Sequence, residues 1–165
     1  MSDVPDANPD GRDETLNERA DRNWEELMQE LRVMQTGTQV LAGFLLAVAF
    51  QPRFTELDDV QRVLYIVLVI LAALATILAL TPVGMHRMLF GERRKAHLVR
   101  LASRIVKVDL AVVGALSVGV VALVVDFVVN RTAAGIVLGT GVLLVVAMWL
   151  FLPVLMRRAR DEKFI

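Results

Sequence analysis

The sequence contains no cysteine, so disulfides, iron–sulfur clusters and thiol chemistry are excluded. Its two histidines, His86 and His97, lie 11 positions apart and have no neighbours with metal-ligand spacing. The chain also lacks a glycine-rich phosphate loop, a nucleophile with a matching base and an aromatic cage. We therefore expect no enzymatic activity, no metal, no cofactor and no nucleic-acid partner.

Apolar residues are abundant: they make up 56% of the 165 residues, against roughly 45–50% in soluble domains. A helix needs about 20 mostly apolar residues to cross a bilayer. The sequence predicts four such spans, at residues 33–50, 62–81, 108–129 and 133–153. A soluble protein with four buried apolar helices is the alternative, but so short a chain has too little polar sequence to cover them. The predicted fold is all-α, a bundle of four transmembrane helices with cytoplasmic amphipathic helices.

The distribution of basic residues predicts the orientation of these spans. Lys and Arg number 4 before the first span, then 2, 7, 1 and 4 in the successive loops and the tail. Since cytoplasmic segments carry the excess of positive charge, both termini and the middle loop are predicted to be cytoplasmic. The N-terminus is too acidic to be a cleaved signal peptide.

The N-terminal region divides into two segments. Residues 1–12 are rich in Pro, Gly and Asp and are predicted to be disordered. Residues 13–32 form an acidic amphipathic helix whose start has the capping-box pattern, with Thr15 and Glu18 three positions apart. No break separates this helix from the first span, so one helix of about 35 residues is predicted. Trp24 suits either the headgroup layer or packing against the bundle.

The loop over residues 82–107 is predicted to be a basic cytoplasmic helix interrupted at Gly91, and residues 159–165 a cytoplasmic tail. A basic helix beside a membrane commonly binds anionic lipid headgroups, although positive charge inside the cell also occurs without a further role. The candidate headgroup ligands are Arg93, Arg94, Lys95, Arg100 and Arg104.

The first outer loop is predicted to be a tight turn, because Pro52 ends one helix and Thr55 or Asp58 can cap the next. A Pro-Val-x-Met-x-Arg pattern begins at both Pro82 and Pro153. It is compatible with a parallel repeat of two hairpins.

Polar residues within the spans are the candidates for function. Arg32, Gln35 or Thr36, and Gln39 share one face of the first span, which Gly43 and Ala47 continue. This face is either a cation or proton pathway that includes Asp109 or a set of interhelical hydrogen bonds. We expect Arg32 or Gln35 to be the partner of Asp109.

Asp126 lies at the other end of the third span, about 25 Å from Asp109 along the helix. It is predicted to pair with Arg131 or Arg62 on the outer side of the membrane. Because both carboxylates lie close to the predicted interfaces, neither is placed at the middle of the bilayer.

Small residues at four-residue spacing predict close helix packing, within the chain or between copies in a homo-oligomer. They are Ala111, Ala115 and Gly119 on span 3, Gly135 and Gly139 on span 4, and Ala75 and Ala79 on span 2.

The two amphipathic segments carry opposite charge. Residues 13–32 hold seven acidic and three basic residues, and residues 86–107 hold seven basic and one acidic. We predict that the two segments dock on each other, the alternative being that the basic segment binds lipid while the acidic helix stays free.

Three stretches of the chain resemble an uncharacterised family of small four-pass membrane proteins from high-GC bacteria. They are Arg22–Gly37 (RNWEELMQELRVMQTG), Gly43–Leu46 (GFLL) and Phe50–Phe54 (FQPRF), and the resemblance covers residues 22–158. It implies a multi-pass protein of the bacterial inner membrane. Some members are labelled sodium:proton antiporters, which implies cation exchange without naming catalytic residues.

Two functions therefore stand as hypotheses. The first is transport of cations or protons through the cluster of Arg32, Gln35, Gln39 and Asp109. The second is a scaffold or regulatory subunit that binds a partner protein or anionic lipid through its cytoplasmic helices.

Overall fold

A computed structural model describes residues 15–88 and 95–161, and this part of the chain is almost entirely helical. The elements are α1 (Leu16–Val48), a short 3₁₀ turn (Pro52–Glu56), α2 (Asp59–Met88), α3 (Lys95–Val128) and α4 (Arg131–Asp161). The predicted all-α fold is confirmed. The predicted disorder at 1–12, the interruption at Gly91 and the end of the tail lie outside the described residues.

All four helices contain a segment long and apolar enough to cross a membrane. These segments are Glu18–Val48, Asp59–Met85, Val99–Val128 and Arg131–Phe151. The first belongs to one continuous helix of 33 residues, close to the predicted length. The third begins nine residues before the predicted start at 108, because α3 already begins at Lys95 and continues without a break into the span.

The starts of the helices are determined by side chains that bind the free backbone amides of the first turn. At α1, the Thr15 amide donates to Glu18 Oε2 at 2.8 Å and the Glu18 amide donates to Thr15 Oγ1 at 3.3 Å. The predicted capping box is thus present.

The loop between α1 and α2 ends in a second reciprocal cap. Asp58 Oδ1 accepts from the Gln61 amide at 2.9 Å, and Gln61 Oε1 accepts from the Asp58 amide at 3.1 Å. Asp58 is therefore the cap of α2, whereas Thr55 donates to the Pro52 carbonyl within the 3₁₀ turn. Asn130 caps α4 by accepting from the Ala133 amide at 2.8 Å.

The chain forms two compact units, which we describe separately. Unit 1 contains α1 up to Gly43, α2 from Ala72 and α3 up to Val113. Its apolar core includes Leu31, Ala79 and Val106, with Leu27, Met28 and Met34 packed against them. Leu31 belongs to the predicted acidic segment and Val106 to the predicted basic segment, so the two segments share this apolar core. The docking of their charged side chains stays a prediction.

Unit 2 contains the last residues of α1, the following loop, α2 up to Leu71, α3 from Gly114 and all of α4. Three glycines allow its helices to approach closely. A Cβ added at Gly114 would lie 2.9 Å from the Trp149 side chain, and one added at Gly119 would lie 2.5 Å from Leu68. A Cβ added at Gly141 would lie 2.7 Å from Val118. Both units take residues from each half of the chain, so they do not correspond to the two hairpins of the predicted repeat, which stays a prediction.

The predicted small-residue ladders have different roles within the chain. Gly119, Ala75 and Ala79 are buried as packing positions, whereas Ala111 and Ala115 are exposed. Gly135 and Gly139 are exposed too, with no atom within 4 Å of the position where a Cβ would lie. The GxxxG pattern of α4 therefore does not close the monomer.

The two environments of the α4 glycines predict opposite responses to alanine. In Gly141→Ala the new methyl group meets Val118, whose β-branched side chain has little rotamer freedom in a helix. We expect the free energy of unfolding to fall by about 1–3 kcal/mol. Gly139→Ala is the matched control and should be neutral or stabilise by up to about 1 kcal/mol. Unfolding with sodium dodecyl sulfate, followed by tryptophan fluorescence, measures both; equal effects would contradict this packing.

Candidate functional site

The site of greatest chemical interest in unit 1 is the carboxyl group of Asp109. Its side chain is 1% exposed, and it is one of the largest fully buried side chains of the described residues. Asp109 lies ten residues after Val99, the start of the membrane-capable segment, which is about 15 Å along the helix.

Asp109 occupies a position that the helix pattern reserves for an apolar side chain. Ala102 and Val106, at seven and three positions before it, are both buried on α3. A residue at this spacing continues the same buried stripe. The fold therefore forces the carboxyl group into the interior of unit 1.

The buried carboxyl lacks a full set of partners. Among the residues that the structure describes, none donates a hydrogen bond to Asp109 Oδ1. The predicted bond from Arg32 or Gln35 to this atom is therefore not formed. Burying an ionised carboxylate without donors or a counter-ion costs several kcal/mol. Such a group is suited to hold a proton, or a cation that replaces it.

The predicted polar face of α1 points away from the core. Arg32 and Gln39 are exposed and Gln35 is half-buried. The buried polar residue of α1 is instead Thr38, 3% exposed, whose hydroxyl donates to the Met34 carbonyl at 3.0 Å. Thr38 lies seven residues after the buried Leu31, a spacing that places both on the same face of the helix. This spacing could have predicted the burial of Thr38 from the sequence.

Unit 2 holds a second group of charges, here named the loop charge cluster: Asp58, Asp126 and Arg131. Arg131 Nη2 lies 2.7 Å from Asp58 Oδ2 and 3.2 Å from Asp126 Oδ2. The side chain of Asp126 is only 8% exposed, and Arg131 is one of its two predicted partners. The other, Arg62, instead binds Asp59 at 3.3 Å and the Leu57 carbonyl at 3.1 Å. One guanidinium thus ties the start of α2 to the end of α3.

The electrostatics of this cluster favour the ionised form of Asp58. The backbone amide of Gln61, and then the side chain of Arg131, hold the pKa of Asp58 below its ordinary range. Both hydrogen bonds stabilise the Asp58 carboxylate and anchor the loop, and neither donor acts as an acid or a base. The cluster is therefore structural.

Aromatic contacts reinforce the same loop. The Arg53 guanidinium lies 4.7 Å from the centre of the Phe127 ring, and Phe54 packs edge-on against Tyr65 with ring centres 5.0 Å apart. The Tyr65 hydroxyl donates to the Leu45 carbonyl at 2.8 Å. None of these contacts was foreseen from the sequence, since they join residues far apart in the chain.

The remaining candidates are less defined. Arg100 and Arg104 are exposed, as headgroup ligands need to be, and Arg93, Arg94 and the side chain of Lys95 lie outside the described residues. Within the described ranges, no group of three or more His, Cys, Asp or Glu could hold a metal ion.

Comparison with known proteins relates the chain to one family. The family described as "Family of unknown function (DUF6328)" matches residues 13–153, which contain all four membrane-capable segments. No curated protein and no solved structure matches the chain.

The lowered pKa of Asp58 predicts a pH-dependent stability. Its ionised form is stabilised in the folded chain, so this contribution is present above the ordinary aspartate pKa of about 4 and is lost as the pH falls through the lower, folded value. We expect Asp58→Asn to be less stable than the wild type at pH 7 and to lose less stability between pH 5 and pH 3.

Chemical unfolding at a series of pH values tests this prediction. Asp59→Asn is the matched control, because Asp59 is adjacent and its side chain is 99% exposed. If Asp58→Asn and the wild type lose equal stability in acid, the cap and the Arg131 pair do not contribute as described.

Proposed function

The chain belongs to the DUF6328 family of unknown function, and we propose that it is a small membrane protein that transports protons or cations by means of Asp109. The observation that carries the proposal is the burial of this carboxyl group, with Oδ1 unpartnered, in a helix apolar enough to span a membrane. An ionisable residue in such a position is costly and is most often retained for function.

The chemistry of transport at this position is simple. When a proton or a cation is bound, the carboxyl group is neutral and compatible with its apolar surroundings. When the bound ion leaves, the carboxylate is destabilised until another ion replaces it. Exchange of one ion for another at a single carboxyl group is the behaviour that the sodium:proton antiporter label would imply.

The sequence predicted that polar residues of α1 form the ion pathway together with Asp109, and this proposal gives them a smaller role. Arg32 and Gln39 are exposed, so they do not share the buried surroundings of Asp109. Asp109 is the ion-binding group, and a contribution from Arg32, Gln35 or Gln39 to the approach of ions remains a prediction.

The charge pattern supports a location in the bacterial cytoplasmic membrane with both termini in the cytoplasm. The seven basic residues between spans 2 and 3 would then face anionic headgroups of the inner leaflet. The loop charge cluster would lie on the outer side.

A second function is favoured by the surface of α1. All five acidic residues of this helix are exposed: Glu18, Asp21, Glu25, Glu26 and Glu30. A row of acidic side chains on a cytoplasmic helix suits a scaffold or regulatory subunit that binds a basic partner protein. This function requires no ion movement, so a flux measurement separates the two proposals.

We expect purified protein in proteoliposomes to give a proton-, sodium- or potassium-driven flux above that of empty vesicles. Asp109→Asn should reduce the flux to background, because an amide does not exchange a proton or balance a cation. Asp109→Glu should retain part of it, and Asp59→Asn, at an exposed position, should leave it unchanged. Circular dichroism and size-exclusion chromatography check that each variant is folded.

The outcomes are separable. Absence of flux from the folded wild type would overturn the transport proposal and favour the scaffold. Wild-type flux from Asp109→Asn would keep transport and remove Asp109 from it.

The proposed orientation is tested with single cysteines, since the chain has none of its own. Cysteines at Ser2 and Ala96 should resist a membrane-impermeant thiol reagent in intact cells, whereas one at Thr55 should react. Lysed cells provide the control, in which all three should react. Labelling of Ala96→Cys from outside would reverse the orientation.

A further inference from the structure

One face of α1 within unit 1 is turned outward and carries polar and small residues. Arg32, Thr36, Gln39 and Gly43 follow one another at spacings of four, three and four, and all four are exposed. The buried residues of the same stretch, Leu31 and Thr38, point about 100° away from this face around the helix. We propose that this outward face is the surface on which two copies of the chain meet in the membrane, with the Gln39 amides hydrogen-bonded across the interface.

Gln39 is the residue that requires a partner. It lies nine residues before the end of α1 at Val48, which is about 14 Å along the helix and close to the middle of a hydrocarbon layer of about 30 Å. Among the described residues, no hydrogen bond to its side chain is formed, and lipid tails offer none. An amide left unsatisfied in hydrocarbon is costly, so its partner has to come from another molecule.

A second copy of the chain supplies that partner by its chemistry. An amide side chain has both donors and an acceptor, so two glutamines related by a twofold axis can bond to each other in both directions. Side-chain amides are among the groups that hydrogen-bond across helices in membranes.

The neighbours of Gln39 fit the same interface. Gly43, one turn later, has no atom within 4 Å of the position where a Cβ would lie, so a second helix can approach there closely. The Thr36 hydroxyl already donates to the Arg32 carbonyl at 2.9 Å and is therefore satisfied when covered. The other exposed side chains of this stretch, including Val33 and Val40, are apolar and are covered equally well by lipid.

This inference does not require transport, because the surface excludes Asp109, the proposed ion-binding group. It does include Arg32 and Gln39, the residues predicted to assist the approach of ions. It also differs from pairing through Gly135 and Gly139 of α4, a pair that includes no amide side chain. Lipid alone, or a different membrane protein, is the competing occupant of the face.

Cysteine crosslinking tests the face directly. Gly43→Cys and Phe44→Cys are neighbours at the same depth, but their side chains point about 100° apart and only Gly43 lies on the proposed face. In native membranes treated with a thiol oxidant, we expect a disulfide-linked dimer from Gly43→Cys and little or none from Phe44→Cys. Equal crosslinking, a stronger product from Phe44→Cys or no product from either would overturn the proposal.

The role of Gln39 is tested by the dimer dissociation constant, measured by energy transfer between labelled copies in neutral detergent. Two symmetric amide bonds at typical membrane values predict a roughly eightfold weaker dimer for Gln39→Leu, equivalent to about 1.2 kcal/mol. Gln39→Asn should restore part of the affinity, and Val40→Leu, on the adjoining apolar surface, should leave it unchanged. Wild-type affinity from folded Gln39→Leu would show that the amide does not hold the copies together.

Discussion

Hydrocarbon does not form hydrogen bonds, so polar side chains in the four helices need hydrogen-bond partners within the protein. Several threonines of the spans, among them Thr38, Thr76 and Thr81, bond to the carbonyl four residues earlier in their own helix. Tyr65 finds the Leu45 carbonyl of another helix. Among the described residues of these segments, Asp109 on the inside and Gln39 on the outside are two whose side chains keep an unmet hydrogen bond.

These two exceptions have different consequences because their surroundings differ. Asp109 is enclosed, so only a small ion can complete its interactions, and this leads to a proposal about chemistry. Gln39 is exposed, so a whole helix can reach it, and this leads to a proposal about assembly. The same physical cost thus suggests an ion-binding group in one case and a contact surface in the other.

Charge outside the apolar segments has a mainly structural role. Asp58 both caps α2 and accepts from Arg131, and Arg131 also binds Asp126. One arginine thereby connects segments that are distant in sequence, although exposed pairs of this kind contribute little individually. The acidic and basic segments of unit 1, by contrast, share an apolar core around Leu31 and Val106.

The sequence by itself determined the four helices, their approximate lengths and the capping box at Thr15. It also singled out Asp109 as an acidic residue within an apolar span. Runs of about 20 apolar residues have one stable structure in a membrane, and a cap depends on residues three positions apart. The direction in which each helix face points was decided only by tertiary structure. Arg32 and Gln39 were predicted beside Asp109 and lie outside, while Thr38 is buried, because a polar face on one helix does not reveal which neighbours it will meet. Contacts between separate helices also decided two other points, which no local pattern encodes. Asp126 pairs with Arg131 and not with Arg62, and close packing occurs at Gly119 and Gly141 and not at Gly135 and Gly139.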